Sequence, residues 1–253
     1  MTDSILQATN LCKQYTTRQG NLIAIDDVSF EVAPGEFLCI VGPSGCGKST
    51  LLRMLAGLLK PDNGTVYLHG NPVTDPREEI GFVFQKANLM PWRTVYDNVL
   101  LPMQVKHRHP AEAQQRVKDA LELVELMEFA NNYPHELSGG MAQRVAIARA
   151  LSYEPEILLL DEPFGALDAL TRENLNQEIM RVWEVSQKTV VMVTHNIREA
   201  VFLADRVLVL TQRPGRVAKV IPVDLPRPRP ISMIYGDEFG ALAYEVRQAI
   251  QYT

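Results

Sequence analysis

Residues 5 to 33 alternate apolar and polar positions in the manner of half-buried strands ("ILQATNLCKQY", "IDDVSFEV"), and Gly20-Asn21 between them predicts the turn of an antiparallel pair. "EFLCIVG", Glu36 to Gly42, is instead an unbroken apolar run, the pattern of a strand buried on both faces of a parallel sheet. It leads through a glycine-rich loop into a helical pattern, "STLLRMLAGLL". A second hairpin is predicted in "PDNGTVYLHG", with Asn63-Gly64 as its positive-φ turn. Val117, Leu121 and Val124 repeat at helical spacing after a helix-starting Pro110, so residues 110 to 128 read as a helix.

Three more buried-strand runs follow, "EILLLDEP", "TVVMVTH" and "DRVLVLT", separated by the helical "TRENLNQEIMRVWEVSQ" and "NIREAVFLA". Strands alternating with helices predict an α/β fold whose parallel sheet is joined by crossover helices. Between about residues 86 and 156 the helix patterns continue without a strand, which predicts a helical lobe inserted into a sheet domain spanning 1–212. From 213 onward the chain is proline-rich ("VDLPRPRP") and then helical from Phe239 to Ile250, a tail expected to pack on that domain.

Composition narrows the function classes. The 253 residues are 46% hydrophobic and 22% charged, enough to bury a sizeable core. A formal charge of -5 speaks against a nucleic-acid partner, which ordinarily requires a basic face. No apolar run reaches the roughly 18 residues of a membrane span, and "MTDSILQATN" lacks the features of a secretory signal, so a cytoplasmic location is expected. Cys12, Cys39 and Cys46 show no paired spacing; neither a disulfide framework nor a zinc site is expected, and Cys12 and Cys39 read as small buried hydrophobes.

The chemistry begins with "GPSGCGKST": Gly42, Pro43, Ser44, Gly45, Cys46, Gly47, Lys48, Ser49 and Thr50 fit G-x-x-x-x-G-K-[ST] between a strand and a helix. Here backbone N–H groups can close around phosphate oxygens, Lys48 can reach the β and γ phosphates, and the Ser49 hydroxyl can ligate Mg²⁺. Cys46 is either a thiol that nucleotide shields or a spacer. Asp161, ending a buried strand, presents a carboxylate that can hold Mg²⁺ directly or through water, and Glu162 beside it can polarise an attacking water. Gln85 and His195 close strand runs on the same sheet edge. An amide there can reach Mg²⁺ or the lytic water, and an imidazole the γ-phosphate, unless both are ordinary loop residues. A second anion-binding pattern lies in "LSGGMAQR", where Ser138, Gly139 and Gly140 open "VAIARALS", which reads as an amphipathic helix. One mononucleotide has no use for two phosphate cradles.

"GPSGCGKST", Gln85, "LSGGM", "LLLDEP", "ALD" and "TH", in this order over nearly the whole chain, resemble the nucleotide-binding subunit of ATP-binding cassette (ABC) transporters. The resemblance implies a P-loop NTPase core with a parallel sheet, an antiparallel β subdomain and the inserted helical lobe. It implies ATP and Mg²⁺ as ligands and a head-to-tail homodimer in which each ATP lies between one P-loop and the partner's Ser138 loop. It also implies that Asp168 sits where the dimer interface is crossed and that Tyr15 sits where an aromatic stacks on adenine. Tyr15 reads equally as a half-buried strand tyrosine.

"NLMPWRTVYDNV", Met141, "DEPFGALDALTR", "RPGR" and "DLPRPR" further resemble the importer subfamily for nitrate, sulfonates, taurine and similar solutes. Ala142 and Asn196 depart from it, standing where a basic residue and an aspartate are usual. The implied partners are a membrane permease and, indirectly, a solute-binding protein, with the chain at the cytoplasmic face of the membrane. Leu89, Met90 and Trp92 would suit docking to the permease if exposed, while Trp92 also suits a core role. Alternatives are a soluble cassette ATPase acting on DNA or ribosomes, an importer for another solute class, and a small-molecule kinase, which would not need the Ser138 loop.

Overall fold

The computed structural model describes residues 4–17, 20–165 and 168–251. The first elements are β1 (Leu6–Thr17), β2 (Gly20–Val32), β3 (Phe37–Val41), α1 (Lys48–Leu55), β4 (Asn63–Leu68) and β5 (Asn71–Pro72). There follow β6 (Ile80–Val83), α2 (Val95–Val105), α3 (Pro110–Leu123), α4 (Gly139–Leu151), β7 (Ile157–Asp161) and α5 (Ala169–Ser186). The chain closes with β8 (Thr189–Val193), α6 (Ile197–Leu203), β9 (Arg206–Leu210), β10 (Val217–Pro222) and α7 (Asp237–Gln251). Two compact units form, Met1–Arg77 with Lys188–Thr253, and Glu78–Gln187. The fold is α/β, with parallel core strands and a separate antiparallel sheet.

In the first unit, β1 lies between β2 and β4, antiparallel to both, and β5 extends β4. Every residue of β3 is buried, because β8 and β9 flank it in parallel and helices cover it. That sandwiching explains the unbroken apolar run. α1 and α6 pack on these strands, and α7 packs on α6, β9 and β10. In the second unit β6 and β7 pair in parallel, while α2, α3 and α4 pack against one another. Among the described residues no strand lies between Val83 and Ile157, as the sequence predicts.

The helix starts follow local chemistry. Thr94 caps α2 by accepting the Asp97 N–H at 3.1 Å, Pro110 opens α3, and Asp168 caps α5 by accepting the Thr171 N–H at 3.0 Å. α4 differs from the amphipathic reading: Val145 to Leu151 are buried except Arg149, since the helix is covered on several sides. Among the described residues, no helix is long and apolar enough to cross a membrane.

Two turns fall elsewhere than the sequence predicts. Gly20 and Asn21 already belong to β2, paired with Thr17 and Thr16, and residues 18–19 are outside the described residues. Asn63-Gly64 begins β4 rather than turning a hairpin; Gly64 has φ +83° and lies so close to β1 that a Cβ would sit 2.3 Å from the Asn10 carbonyl oxygen. The tight turn is His69-Gly70, both with positive φ, joining the paired Leu68 and Asn71. The tail contributes an edge strand, β10, antiparallel to β9, which its proline-rich surroundings hide.

The motif "DLPRPR" has a structural purpose. α6 has only seven residues, and the carbonyls of Val201, Phe202, Leu203 and the capping Ala204 find no N–H partner within the helix. Arg227 donates to the Leu203 carbonyl at 2.7 Å, and Arg229 donates to those of Val201, Phe202 and Ala204 at 3.2, 3.0 and 2.8 Å.

Candidate functional site

In the first unit, β3 delivers the chain into the loop Gly42 to Gly47. Lys48 is buried, and its ammonium donates back to the carbonyls of Gly42 and Pro43 at 3.0 and 3.1 Å. Those carbonyls compensate the cation and hold its stem across the loop. Gly45 and Gly47 have φ of +76° and +109°, which L side chains rarely adopt. A Cβ on Gly47 would also lie 2.7 Å from the Ala24 carbonyl oxygen. α1 starts directly at Lys48 with no side-chain cap, so its positive end faces the loop. A buried lysine, left-handed glycines and an uncapped helix start fit a polyphosphate.

Ser49 and Thr50 occupy the first turn of α1. Tyr15 lies in β1, 37% exposed, with its hydroxyl 3.3 Å from that of Thr50. The Cys46 thiol is buried inside the loop, and burial raises its pKa against the opposing charge of Lys48. Cys39 is buried in β3, whereas Cys12 is only partly buried and its sulfur accepts the Asp27 N–H. His195 is exposed two residues beyond β8. Asn196 beside it caps α6, accepting the Arg198 and Glu199 N–H groups at 3.0 and 3.3 Å, a task an aspartate would also perform.

In the second unit, Asp161 ends β7 and is only 4% exposed. Glu162 follows with φ +44°, a left-handed conformation for a residue with a side chain. Its carboxylate accepts a hydrogen bond from the Gln85 amide at 3.4 Å. Gly165 lies beside this pair; a Cβ there would sit in ordinary contact, 3.4 Å from Gln85 Nε2 and 3.5 Å from Glu162 Oε2. Within this unit Gln85 and Asp161 offer an amide oxygen and a carboxylate, and in the first unit Ser49 offers a hydroxyl, each a hard oxygen donor of the kind Mg²⁺ prefers.

Ser138 caps the 13-residue α4, its Oγ accepting the Met141 N–H at 3.2 Å, so the hydroxyl proton can still be donated outward. Ser138 and Gly139 are exposed, and Gly140 is buried where a Cβ would crowd the Thr171 methyl at 3.1 Å. Asp168 is exposed and tied to Thr171. Ala166 and Leu167 of the "ALD" motif lie outside the described residues.

Sequence reasoning missed the residues that shape the segment after Gln85. Gln143 donates to the Phe84 carbonyl at 3.3 Å, and Arg149 to those of Ala87 and Asn88 at 2.7 and 2.9 Å. Asn98 is fully buried: it accepts the Met90 N–H at 2.7 Å and donates to the carbonyls of Met90, Arg93 and Thr94. Trp92 is thereby left 72% exposed, which settles its reading against a core role, with Leu89 and Met90 partly exposed. A single polar residue in a helical pattern gives no such signal.

Comparison with known proteins agrees with this geometry. The sequence profile of the ABC transporter family matches residues 25–165. The chain is 48% identical to a nitrate import ATP-binding protein of Synechococcus elongatus over 220 residues, covering 86% of this chain and 80% of that one. It is 40% identical to an aliphatic sulfonates import ATP-binding protein of Bacillus cereus over 240 residues, covering 95% and 93%. A solved ATP-binding cassette, dimeric in a post-hydrolysis state with ADP and Pi, superposes with a TM-score of 0.75 at 37% identity, covering 87% of this chain and all of that one. The glycine loop, the buried Lys48 and the Asp161-Glu162 pair agree with these matches: the chain is an ATP-binding cassette ATPase and belongs to the ABC transporter family.

Proposed function

We propose that the chain is the ATP-hydrolysing subunit of an importer for a small solute of the nitrate, sulfonate or taurine kind. The observation that carries the reading is the pair of separate phosphate-binding geometries, the loop around Lys48 and the Ser138 start of α4. A second cradle makes sense when it completes a nucleotide held by another copy. The dimeric ADP-bound relative and the two import ATP-binding relatives support the homodimer and the importer role.

In this reading the loop Gly42 to Thr50 takes the polyphosphate, Tyr15 stacks on adenine, and Ser138, Gly139 and Gly140 serve the partner's γ-phosphate, with Asp168 at the shared boundary. Mg²⁺, held by Ser49, Gln85 and Asp161, would supply charge neutralisation at the β and γ phosphates. Glu162 polarises the water, taking its proton as oxygen attacks the γ phosphorus and the bond to the ADP oxygen breaks. Gln85, donating to Glu162, orients that carboxylate, and His195 contacts the γ-phosphate. Loss of the γ-phosphate removes the link between the copies. Residues 86–156 act as the lobe that passes the motion, through the exposed Trp92 segment, to a membrane permease at the cytoplasmic face; a solute-binding protein acts beyond it. Residues 213–253 are a tail on the 1–212 cassette. The overall charge of -5 does not favour a DNA- or ribosome-bound cassette.

Glu162→Gln tests the reading. It should bind ATP, lose nearly all turnover and elute as a dimer with ATP and Mg²⁺. A variant that stays monomeric under those conditions, or hydrolyses ATP at the parent rate, would overturn it.

A further inference from the structure

The motif "RPGR" forms the turn between β9 and β10, and nothing in the proposed mechanism uses it. The turn is closed by its own bonds: the Thr211 hydroxyl donates to the Pro214 carbonyl at 2.8 Å and accepts the Arg216 N–H at 3.0 Å. It is stitched to β2, where the Gly215 N–H donates to the Ala24 carbonyl and the Asp26 N–H to the Gly215 carbonyl, both at 3.0 Å, and Arg216 pairs with Asp26. Gly215 touches the back of the glycine loop so closely that a Cβ would lie 2.3 Å from the Cys46 carbonyl oxygen. From this fixed base Arg213 reaches over the loop, and its Nε and Nη2 both donate to the Gly45 carbonyl, at 2.9 and 2.8 Å.

The Gly45 carbonyl and the Cys46 N–H belong to one rigid peptide plane. That N–H donates to the Pro43 carbonyl at 3.2 Å, forming the tight turn of the loop. Gly45 and Gly47 stand on either side of Cys46 with φ of +76° and +109°, so no side chain of either one holds this plane in place. Rotating the plane would break the Cys46–Pro43 hydrogen bond that closes the turn and displace the N–H groups next to it, which a polyphosphate would need in place. We infer that Arg213 is a positioning residue for nucleotide binding, pinning the Gly45–Cys46 peptide so that the loop presents donors to phosphate. The inference rests on the nucleotide site proposed above.

The test compares Arg213→Ala, Arg213→Lys and Lys48→Ala in the full chain, using a fluorescent ATP analogue, ADP and adenosine, with steady-state hydrolysis alongside. Losing a charge-assisted two-pronged bond should weaken ATP and ADP binding by roughly tenfold in Arg213→Ala. KM should rise in step while kcat at saturation stays within about twofold, because only ordering before binding is lost. Adenosine binding should be unchanged, and Arg213→Lys, which can still reach the carbonyl with one donor, should recover part of the loss. Unchanged ATP affinity in Arg213→Ala, or an equal loss for adenosine, would overturn the inference. If Lys48→Ala also leaves ATP binding intact, the nucleotide site itself has been misassigned; if Lys48→Ala loses binding and Arg213→Ala does not, only Arg213's role fails.

Discussion

Replacing Arg229 by methionine should destabilise the chain by a net ~2 kcal/mol at neutral pH, the outcome of two opposing effects. Arg229 is 5% exposed, and its guanidinium donates to five backbone carbonyls: Val201, Phe202 and Ala204 at the end of α6, and Val223 and Leu225 on the segment leading to it. Leaving five buried acceptors unpaired, at ~1 kcal/mol each, would cost about 5 kcal/mol. Against this, burial, with Arg227 nearby, pushes the Arg229 pKa from its ordinary range down to about 10. Holding the charge there costs ~3 kcal/mol, and methionine removes that penalty. The sign of the pH dependence follows. Below about pH 10 the buried cation carries its full penalty; as pH rises from there toward the unfolded value the native state sheds the proton first, and the parent gains stability relative to the variant. Urea unfolding of both proteins at pH 7, 9 and 10.5, with slopes compared, measures it. A variant as stable as the parent at pH 7, or a stability gap that narrows with rising pH, would refute the reasoning.

Gly47→Ala forces a side chain into φ +109° and within 2.7 Å of the Ala24 carbonyl oxygen. The backbone strain alone is about 1–2 kcal/mol, so nucleotide binding by calorimetry should fall by roughly tenfold or more, together with a lowered Tm. Asn98→Ala removes four hydrogen bonds that hold the 90–94 segment. A loss of about 2–4 kcal/mol is expected by urea unfolding, with increased mobility of Trp92 in fluorescence anisotropy.

The elements were legible where burial imposes a period. β3, β7, β8 and β9 are short apolar runs because both faces are covered, and α3 shows its spacing because one face is not. Turns were less legible. Asn63-Gly64 has turn composition, yet its glycine is needed for a close approach to β1, and the turn went to His69-Gly70, whose histidine gives no signal. Motif residues such as Lys48, Asp161 and Glu162 were visible because a fixed spacing in sequence is the chemistry. Asn98, Gln143, Arg149 and Arg213 were not, since each bonds to carbonyls tens of residues or more away except for Asn98, whose buried amide looks like any helical asparagine.

A seven-residue helix cannot hold itself together in water. α6, which follows directly on His195, is therefore closed at its front by Asn196 and at its back by two arginines from a stretch of chain more than twenty residues downstream. This sets where the polypeptide tolerates being cut. A shortened version ending before Arg227 would keep every nucleotide motif in its sequence and still leave the support behind His195 unfinished, whereas an appendage fused after Gln251 leaves both arginines in place.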